Sequence, residues 1–185
     1  KNNFHKSLIN EYRLREEAIL DSYQKSSKLL FNTHFNTEEI KKLIYKANYA
    51  DKVKRDELRK KLLDEYKDIY NEMKKYEFRQ LHFHLEDKIT SFLRFHKVDK
   101  YGDSLIGVRS TLEAAHKNKK EITGFEEGRI FNGFRYVYPY FYKDEFVGTV
   151  ELSVSYNSIL KIVNQSYNQK GFFIIKEDVV KSKVF

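Results

Sequence analysis

The sequence predicts an α+β domain, in which long N-terminal helices pack on an antiparallel sheet. Residues 1–77 contain no Gly or Pro, and their apolar residues recur at three-, four- and seven-residue steps, which is typical of amphipathic helices. All seven glycines and the only proline lie beyond residue 100. From residue 78 onward, several segments are rich in aromatic and β-branched residues, as strands are. The change near Tyr76 separates the helical part from the part that contains the sheet.

The helical part contains at least two breaks. We expect one unbroken helix over residues 1–30, because an apolar stripe runs through it without a breaker. Thr37, followed by two acidic residues, is typical of a helix start. The stretch NYADKVKRDE, residues 48–57, predicts a break before the last helix of this part. The stripe of the first helix consists of Phe4, Leu8, Tyr12, Ile19, Tyr23 and Leu30.

The second part predicts strands, a short helix and a closing helix. YKDE, residues 142–145, predicts a hairpin turn between two strands. A short helix is expected from about Ser104 to Lys117, and SYNSILKIVNQSYNQ, residues 155–169, predicts the closing helix. The predicted strands are FRQLHFHL (78–85), TSFLRFH (90–96), FRYVYPYFY (134–142) and EFVGTVELSV (145–154).

Composition excludes several classes of function. Residues 1–77 carry 18 basic and 14 acidic residues, which is half of the net charge of +8, so the charge is spread evenly along the chain. Basic and acidic residues are also interleaved. We therefore do not expect a nucleic-acid-binding surface. The absence of cysteine excludes disulfides, thiolate metal sites and cysteine nucleophiles. No apolar run is long enough for a transmembrane helix, and we expect no signal peptide within this sequence. Because the chain begins at Lys1 and ends on KSKVF, we expect it to be a fragment of a longer protein.

The stretch RQLHFHL, residues 79–85, predicts a strand with a polar face. Side chains two apart in a strand share a face, so His82 and His84 point to one side. If SFLRFH pairs with this strand, then Phe92, Arg94 and His96 lie on the same face. A face that combines arginine and imidazole suits a small anion. Further donors are expected from Arg109 on the short helix and from Arg135 and Tyr138 on a later strand.

Two other interpretations of the histidine face stay open. It is equally typical of the solvated side of an antiparallel sheet. A metal site would need a third ligand, and Glu86, Asp87 and His96 are the nearby candidates; without one we expect no metal and no other cofactor. We expect no catalysis, because no glycine-rich phosphate loop, nucleophile elbow or metalloprotease motif occurs. Glu126 and Glu127 in GFEEG have the spacing of solvated turn residues.

Residues 79–154 resemble the extracytoplasmic Cache sensor domains of bacterial receptors, most closely the double-Cache type of histidine kinases, chemoreceptors and diguanylate cyclases. The resemblance rests on RQLHFHL, SFLRFHK, KYGDSL, GFEEGR and GFRYVYPYF followed by VGTVELS, in that order. It implies a PAS-like antiparallel sheet on a long N-terminal helix, with a ligand pocket between the sheet and its covering helices and loops. It therefore favours the histidine face as the pocket face.

The resemblance also implies an organisation and a role. We expect helices over residues 1–77, the PAS-like lobe over 78–164, and a closing segment or the start of a membrane-proximal module over 165–185. The implied role is non-enzymatic sensing of an organic anion or amino acid in the periplasm, with the signal passing down the N-terminal helix. We expect a homodimer through that helix, and a membrane link through segments outside the sequence. The expected ligand-binding residues are His82, His84, Phe92, Arg94, Tyr101, Asp103, Arg109, Glu126, Arg135 and Tyr138.

Arg94 is the expected main anchor of an anionic ligand. A buried guanidinium needs an acid opposite it, and the protein's own candidates are Asp103 and Glu126. If one of them pairs with Arg94, the expected ligand is instead a zwitterion whose carboxylate binds Arg109 or Arg135. The alternative to a sensor is a structural or protein-interaction module, in which the helices form a coiled coil and no small molecule binds.

Overall fold

The computed structural model describes residues 2–126, 132–167 and 176–177. It confirms the predicted α+β class: five helices and a five-stranded antiparallel sheet form one unit within this part of the chain. The elements are α1 (Asn2–Leu30), α2 (Glu38–Tyr49), α3 (Lys52–Lys75), β1 (Phe78–Leu85), β2 (Ser91–Arg94), α4 (Ser110–Asn118), β3 (Ile122–Glu126), β4 (Gly133–Tyr142), β5 (Glu145–Ser155) and α5 (Tyr156–Tyr167).

The first helix is unbroken over 29 residues, as its apolar stripe predicts. At 1.5 Å per residue it is about 43 Å long. It ends in a π-helical turn, Phe31–Phe35, in which the amide of Asn36 donates to the carbonyl of Phe31 at 2.7 Å. Both Phe31 and Phe35 are buried, so the turn aims two aromatic rings at the sheet.

Side chains cap the next two helices where the sequence predicts breaks. The hydroxyl of Thr37 accepts the amide N–H of Ile40 at 3.2 Å and opens α2. The carboxylate of Asp51 accepts the amide N–H of Lys54 at 2.8 Å and opens α3. These caps satisfy amides that have no partner inside the helix, so α2 and α3 start at defined residues.

The sheet has the strand order β2-β1-β5-β4-β3, and every neighbouring pair is antiparallel. The hairpin between β4 and β5 turns at Lys143 and Asp144, as predicted, and both residues have positive φ. The central strand β5 and its neighbour β1 form seven pairs from Phe78↔Val154 to Leu85↔Gly148. This register decides which side chains share each face of the sheet.

The helices α1, α2, α3 and α5 cover one face of the sheet with the main hydrophobic core. Aromatic rings dominate it, and Phe83 stacks nearly parallel to Tyr140 with ring centroids 6.3 Å apart. The opposite face is covered by α4, which packs Leu112 and Ala115 against Val137 in a smaller apolar cluster. The sheet is therefore the middle layer of three.

The fourth helix starts later than the sequence pattern predicts. It begins at Ser110 rather than near Ser104, and Lys119 in the left-handed region ends it. Residues 105–109 instead form turns, in which Gly107 has a φ of +74° and Val108 and Arg109 both donate amides to Leu105. The shift brings Arg109 to the N-cap position of α4, over the sheet.

Candidate functional site

The sheet face under α4 carries buried polar and charged side chains. His82 on β1 lies opposite Glu151 on β5 and opposite Arg94 on β2. Arg135 on β4 lies opposite Ser153 on β5. Directly opposite residues of antiparallel strands point to the same face, so the prediction that His82 and Arg94 share one side is confirmed. We call this surface the polar face; it consists of Gln80, His82, His84, Ser91, Arg94, Arg135, Thr149, Glu151 and Ser153, all buried.

Arg109 joins the start of α4 to two acids of the sheet. Its Nε donates to Oε2 of Glu126 at 2.5 Å, and its Nη2 donates to Oε2 of Glu151 at 2.6 Å. Glu126 also accepts the amide N–H of Thr111 at 3.1 Å and the hydroxyl of Ser110 at 2.9 Å. Burial opposes ionisation of Glu126, but Arg109 and these donors outweigh it and lower the pKa of the carboxyl.

The prediction that Glu126 is a solvated turn acid is wrong. Its exposed fraction is 4%, because β3 extends to this residue and turns the carboxylate toward Arg109. Glu127 lies outside the described residues.

Arg135 is the most enclosed arginine of the polar face, with an exposed fraction of 1%. Its Nη1 donates to Oε1 of Glu151 at 3.2 Å, to Oγ of Ser153 at 3.1 Å and to Oε1 of Gln80. Glu151 therefore accepts from both Arg109 and Arg135, one on each oxygen. Burial lowers the pKa of Arg135, yet an arginine stays protonated in proteins.

Arg94 pairs with an acid of the protein itself. Its two terminal nitrogens donate to the two oxygens of Asp103 at 2.7 and 2.9 Å, and Nη1 also donates to the carbonyl of Lys100 at 2.6 Å. The hydrogen bond from Arg94 lowers the pKa of Asp103, whose side chain is 39% exposed. Arg94 thus ties the loop that follows β2 to the sheet, and its charge is already balanced.

The two histidines of RQLHFHL lie side by side at the centre of the polar face, with ring centroids 4.0 Å apart. Nε2 of His82 lies 2.8 Å from Oγ of Ser91, and Nδ1 of His84 lies 3.0 Å from Oγ1 of Thr149. Burial, followed by the charges of neighbouring groups, lowers the pKa of both rings well below the usual value. Both imidazoles are therefore neutral at physiological pH.

Charges on this side of the sheet balance. Among the described residues, three arginines (Arg94, Arg109 and Arg135) form ion pairs with three acids (Asp103, Glu126 and Glu151). The imidazoles of His82 and His84 add hydrogen-bonding groups without charge. The charges of these arginines and acids are thus paired within the protein.

The sequence matches one family model over residues 1–183, that of the double sensory domain of two-component sensor kinases (dCache_3). The chain belongs to this double-Cache family. Its members are non-catalytic ligand-binding sensor domains of membrane receptors. Within the part of the chain that the structure describes, no helix combines the length and apolarity needed to cross a membrane.

Solved structures share the fold of this Cache domain. The sensor domain of the histidine kinase DctB from V. cholerae aligns with a TM-score of 0.60 and 16% identity, over 86% of this chain and 57% of that one. The ligand-binding domain of the Campylobacter jejuni chemoreceptor Tlp3, in complex with 4-methylisoleucine, aligns with a TM-score of 0.55 and 12% identity, over 83% and 59%. The chain thus spans less than two thirds of these relatives. No curated protein sequence matches it.

Three of the residues predicted to bind the ligand lie away from the polar face. Tyr138 faces the helices, where its hydroxyl is 2.7 Å from Oγ of Ser27, because residues 135 and 138 have opposite parity along β4. Phe92 joins the main core, because a bulge shifts the register after Phe83 and brings Ser91 rather than Phe92 opposite His84. Tyr101 lies on the surface, its ring centroid 3.4 Å from the guanidinium carbon of Arg59.

The other seven predicted residues come together on or beside the polar face. They are His82, His84, Arg94, Asp103, Arg109, Glu126 and Arg135. Glu151, which links two of the arginines, was not predicted, nor were Gln80, Thr149 and Ser153 beside it. A signal for Glu151 exists: it is the only acid inside VGTVELSV and stands between two apolar residues.

Proposed function

We propose that this Cache domain is the periplasmic sensor of a bacterial inner-membrane receptor, and that its ligand is a small zwitterion such as an amino acid. The observation that carries the proposal is the balanced set of three arginines and three acids at the polar face. The carboxylate of the ligand binds Arg109 or Arg135, and its ammonium group binds Glu126 or Glu151.

The free-energy cost of binding at the polar face is lower for a zwitterion than for a simple anion. An anion that bound here would separate an arginine from its acid and leave that buried acid uncompensated, at a cost of about 3–5 kcal/mol. A zwitterion replaces both partners of the pair and leaves the total charge unchanged. Tlp3, a chemoreceptor domain of the same fold, was crystallised with 4-methylisoleucine, which is an amino acid.

Signal transmission runs through β4 to α1. Arg135 and Tyr138 lie on the same strand but on opposite faces, so a displacement of Arg135 by the ligand moves Tyr138. The ring of Tyr138 stacks on Phe31 at 4.4 Å, and its hydroxyl contacts Ser27 of α1. Tyr140, two residues further, donates its hydroxyl to the carbonyl of Phe35 at 2.9 Å.

The N-terminal helix also supplies the dimer contact. Ile9 and Leu14 of α1 are 68% and 54% exposed, which leaves apolar side chains for a second copy of the helix. Replacement of both by Glu should abolish the dimer, as measured by sedimentation, without a change in helix content. The membrane link lies in segments outside this sequence.

A comparison of three matched compounds tests the ligand class. For each amino acid in a thermal-shift panel, the carboxylic acid without its amino group and the amine without its carboxylate are also measured. The zwitterion should raise the melting temperature and the two fragments should not. Calorimetry then gives the affinity of the best ligand.

Variants at the polar face locate the binding site. Arg109→Lys should weaken the ligand at least tenfold, because a point charge does not reproduce the forked contact. Arg13→Lys is the matched control, since the side chain of Arg13 is 66% exposed on α1. If the deaminated acid binds as tightly as the amino acid, the ligand class is an anion and not a zwitterion. If none of the compounds binds, the alternative function as a structural module is favoured.

A further inference from the structure

His82, His84 and Glu151 bring three metal-ligating groups together in the centre of the sheet. One imidazole nitrogen of each histidine and one carboxylate oxygen of Glu151 all lie within 4.8 Å of one another. The three side chains are at most 1% exposed. We propose that these residues bind a divalent transition-metal ion, with Zn²⁺ or Co²⁺ as the probe.

Each histidine has one nitrogen fixed by a hydroxyl and the other without a partner. Ser91 holds Nε2 of His82 and Thr149 holds Nδ1 of His84. Within the described part of the chain, Nδ1 of His82 and Nε2 of His84 are buried and make no hydrogen bond. A buried polar atom without a partner costs about 1–3 kcal/mol, so a group that binds here removes a penalty.

This pattern is the one that metal-binding histidines show in proteins. One nitrogen binds the metal, while the N–H of the other donates to a neighbouring group that fixes the ring and its tautomer. Thr149 fits this role further, because its Oγ1 also lies 3.2 Å from Nε2 of His116. Its hydroxyl can accept from His84 and donate to His116, so the lone pair at Nε2 of His84 stays available.

The arginines on Glu151 limit which metals the site accepts. Arg109 lies 2.6 Å from Oε2, whereas Arg135 lies 3.2 Å from Oε1, and each carboxylate oxygen has two lone pairs. Because two cations already share this acid, the ion must gain its affinity from the imidazoles. The site therefore favours Zn²⁺ and Co²⁺ over Mg²⁺ and Ca²⁺, which prefer oxygen ligands.

Glu86, Asp87 and His96, the third ligands considered from the sequence, are not part of this cluster. Glu86 and Asp87 follow β1 and are exposed, and Nε2 of His96 contacts Gln80. Glu151 is 67 residues beyond His84 along the chain, and only the pairing of β1 with β5 brings it opposite His82.

Titration of the chelator-treated chain tests the site. Calorimetry should show one Zn²⁺ per chain, and Co²⁺ should give the intense visible bands of a tetrahedral complex. Mg²⁺ and Ca²⁺ should not bind. Since no amino acid is added, failure of this experiment leaves the proposed function untouched, and failure of the zwitterion panel leaves the metal site untouched.

Variants distinguish metal binding at this site from adventitious binding by other histidines of the chain. His84→Gln should weaken Zn²⁺ at least tenfold, and Ser91→Ala should weaken it about tenfold because the ring of His82 loses its support. His34→Gln is the matched control, as His34 is exposed in the π-turn, and it should bind like wild type. Ser91→Ala removes a single hydroxyl and keeps the test valid if His84→Gln does not fold. Unchanged binding by the folded variants, or no binding by wild type, would overturn the proposal.

Discussion

Tyr138 and Ser27 join the sheet to the N-terminal helix through a hydrogen bond inside the core. The hydroxyl of Tyr138 lies 2.7 Å from Oγ of Ser27, and Ser27 is fully buried. The Tyr138 ring also stacks on Phe31, where α1 passes into the π-turn. This contact connects the strand that carries Arg135 to the helix that is proposed to carry the signal.

Replacement of Tyr138 by Phe should lower the free energy of unfolding by about 1 kcal/mol, since the ring stack stays and only the buried hydrogen bond is lost. Urea denaturation measures this. Tyr76→Phe is the control, because Tyr76 is 71% exposed and should change stability by less than about 0.5 kcal/mol. Equal effects of the two variants would contradict the role of the Ser27 contact.

Removal of the charge of Glu151 should lower the free energy of unfolding far more than Tyr138→Phe does. Glu151→Gln leaves Arg109 and Arg135 without a shared carboxylate in a buried site, and we expect a loss of about 3–5 kcal/mol. Thermal and urea unfolding measure it. Glu57→Gln, whose side chain is 59% exposed, should have almost no effect. A loss below about 1 kcal/mol for Glu151→Gln would show that the arginines find other partners.

The Arg94–Asp103 pair should contribute less to the stability of the fold than the ion pairs of Glu151. The side chain of Asp103 is 39% exposed, so solvent screens the pair. A double-mutant cycle with Arg94→Lys and Asp103→Asn should give a coupling of about 1 kcal/mol. Lysine keeps the charge but loses one of the two contacts. Additive effects of the two changes would show that the pair does not hold the loop.

Stability should fall as the pH drops from about 6.5 toward 4. Burial lowers the pKa of His96 and of His116 to about 4, and it lowers that of His82 and His84 well below 6.5. In this window the unfolded chain binds protons that the folded chain does not, so lower pH favours unfolding. Each such histidine contributes a slope of up to about 1.4 kcal/mol per pH unit.

Urea denaturation in the presence of a chelator, at several pH values from 7.5 to 4.5, tests this expectation. The chelator removes any effect of bound metal. His116→Gln should reduce the slope. A flat profile between pH 6.5 and 5 would contradict the neutral state of the buried rings.

Gly148 should tolerate no side chain. Its φ is +146°, and an added Cβ would lie 2.1 Å from the carbonyl oxygen of His84, which is a backbone atom. We expect Gly148→Ala to lower the unfolding free energy by at least about 2 kcal/mol. Gly107→Ala is the control, with positive φ but no atom within 4 Å of the added Cβ, and should cost about 1 kcal/mol. Similar losses of unfolding free energy for the two variants would show that the cost comes from backbone strain at positive φ and not from the clash with His84.

Local patterns were sufficient to predict most elements. Alternation in RQLHFHL predicts β1 and the face of its histidines, and Thr37 predicts the start of α2, since both depend only on neighbours along the chain. The start of α4 was misplaced, because the turns over residues 105–109 contain apolar residues that continue the helical pattern.

Contacts between strands limited the prediction of the site. The bulge near Phe83 reverses the expected side of Phe92, and no residue type marks it. Glu151 enters the site through its pairing with His82, which a single sequence does not specify. The case of Tyr138 differs: its three-residue separation from Arg135 along one strand was itself enough to exclude a shared face.

The alternation of ionic and apolar faces also restricts how the strands can align during folding. If β5 slipped by one residue, Glu151 would turn into the aromatic core, while Val150 and Leu152 would meet Arg109 and Arg135. Such a one-residue slip would bury charges without partners, so the ion pairs disfavour it even where their net contribution to the native state is small. We expect an apolar replacement of the same shape to keep the stability of the domain and lose its single alignment.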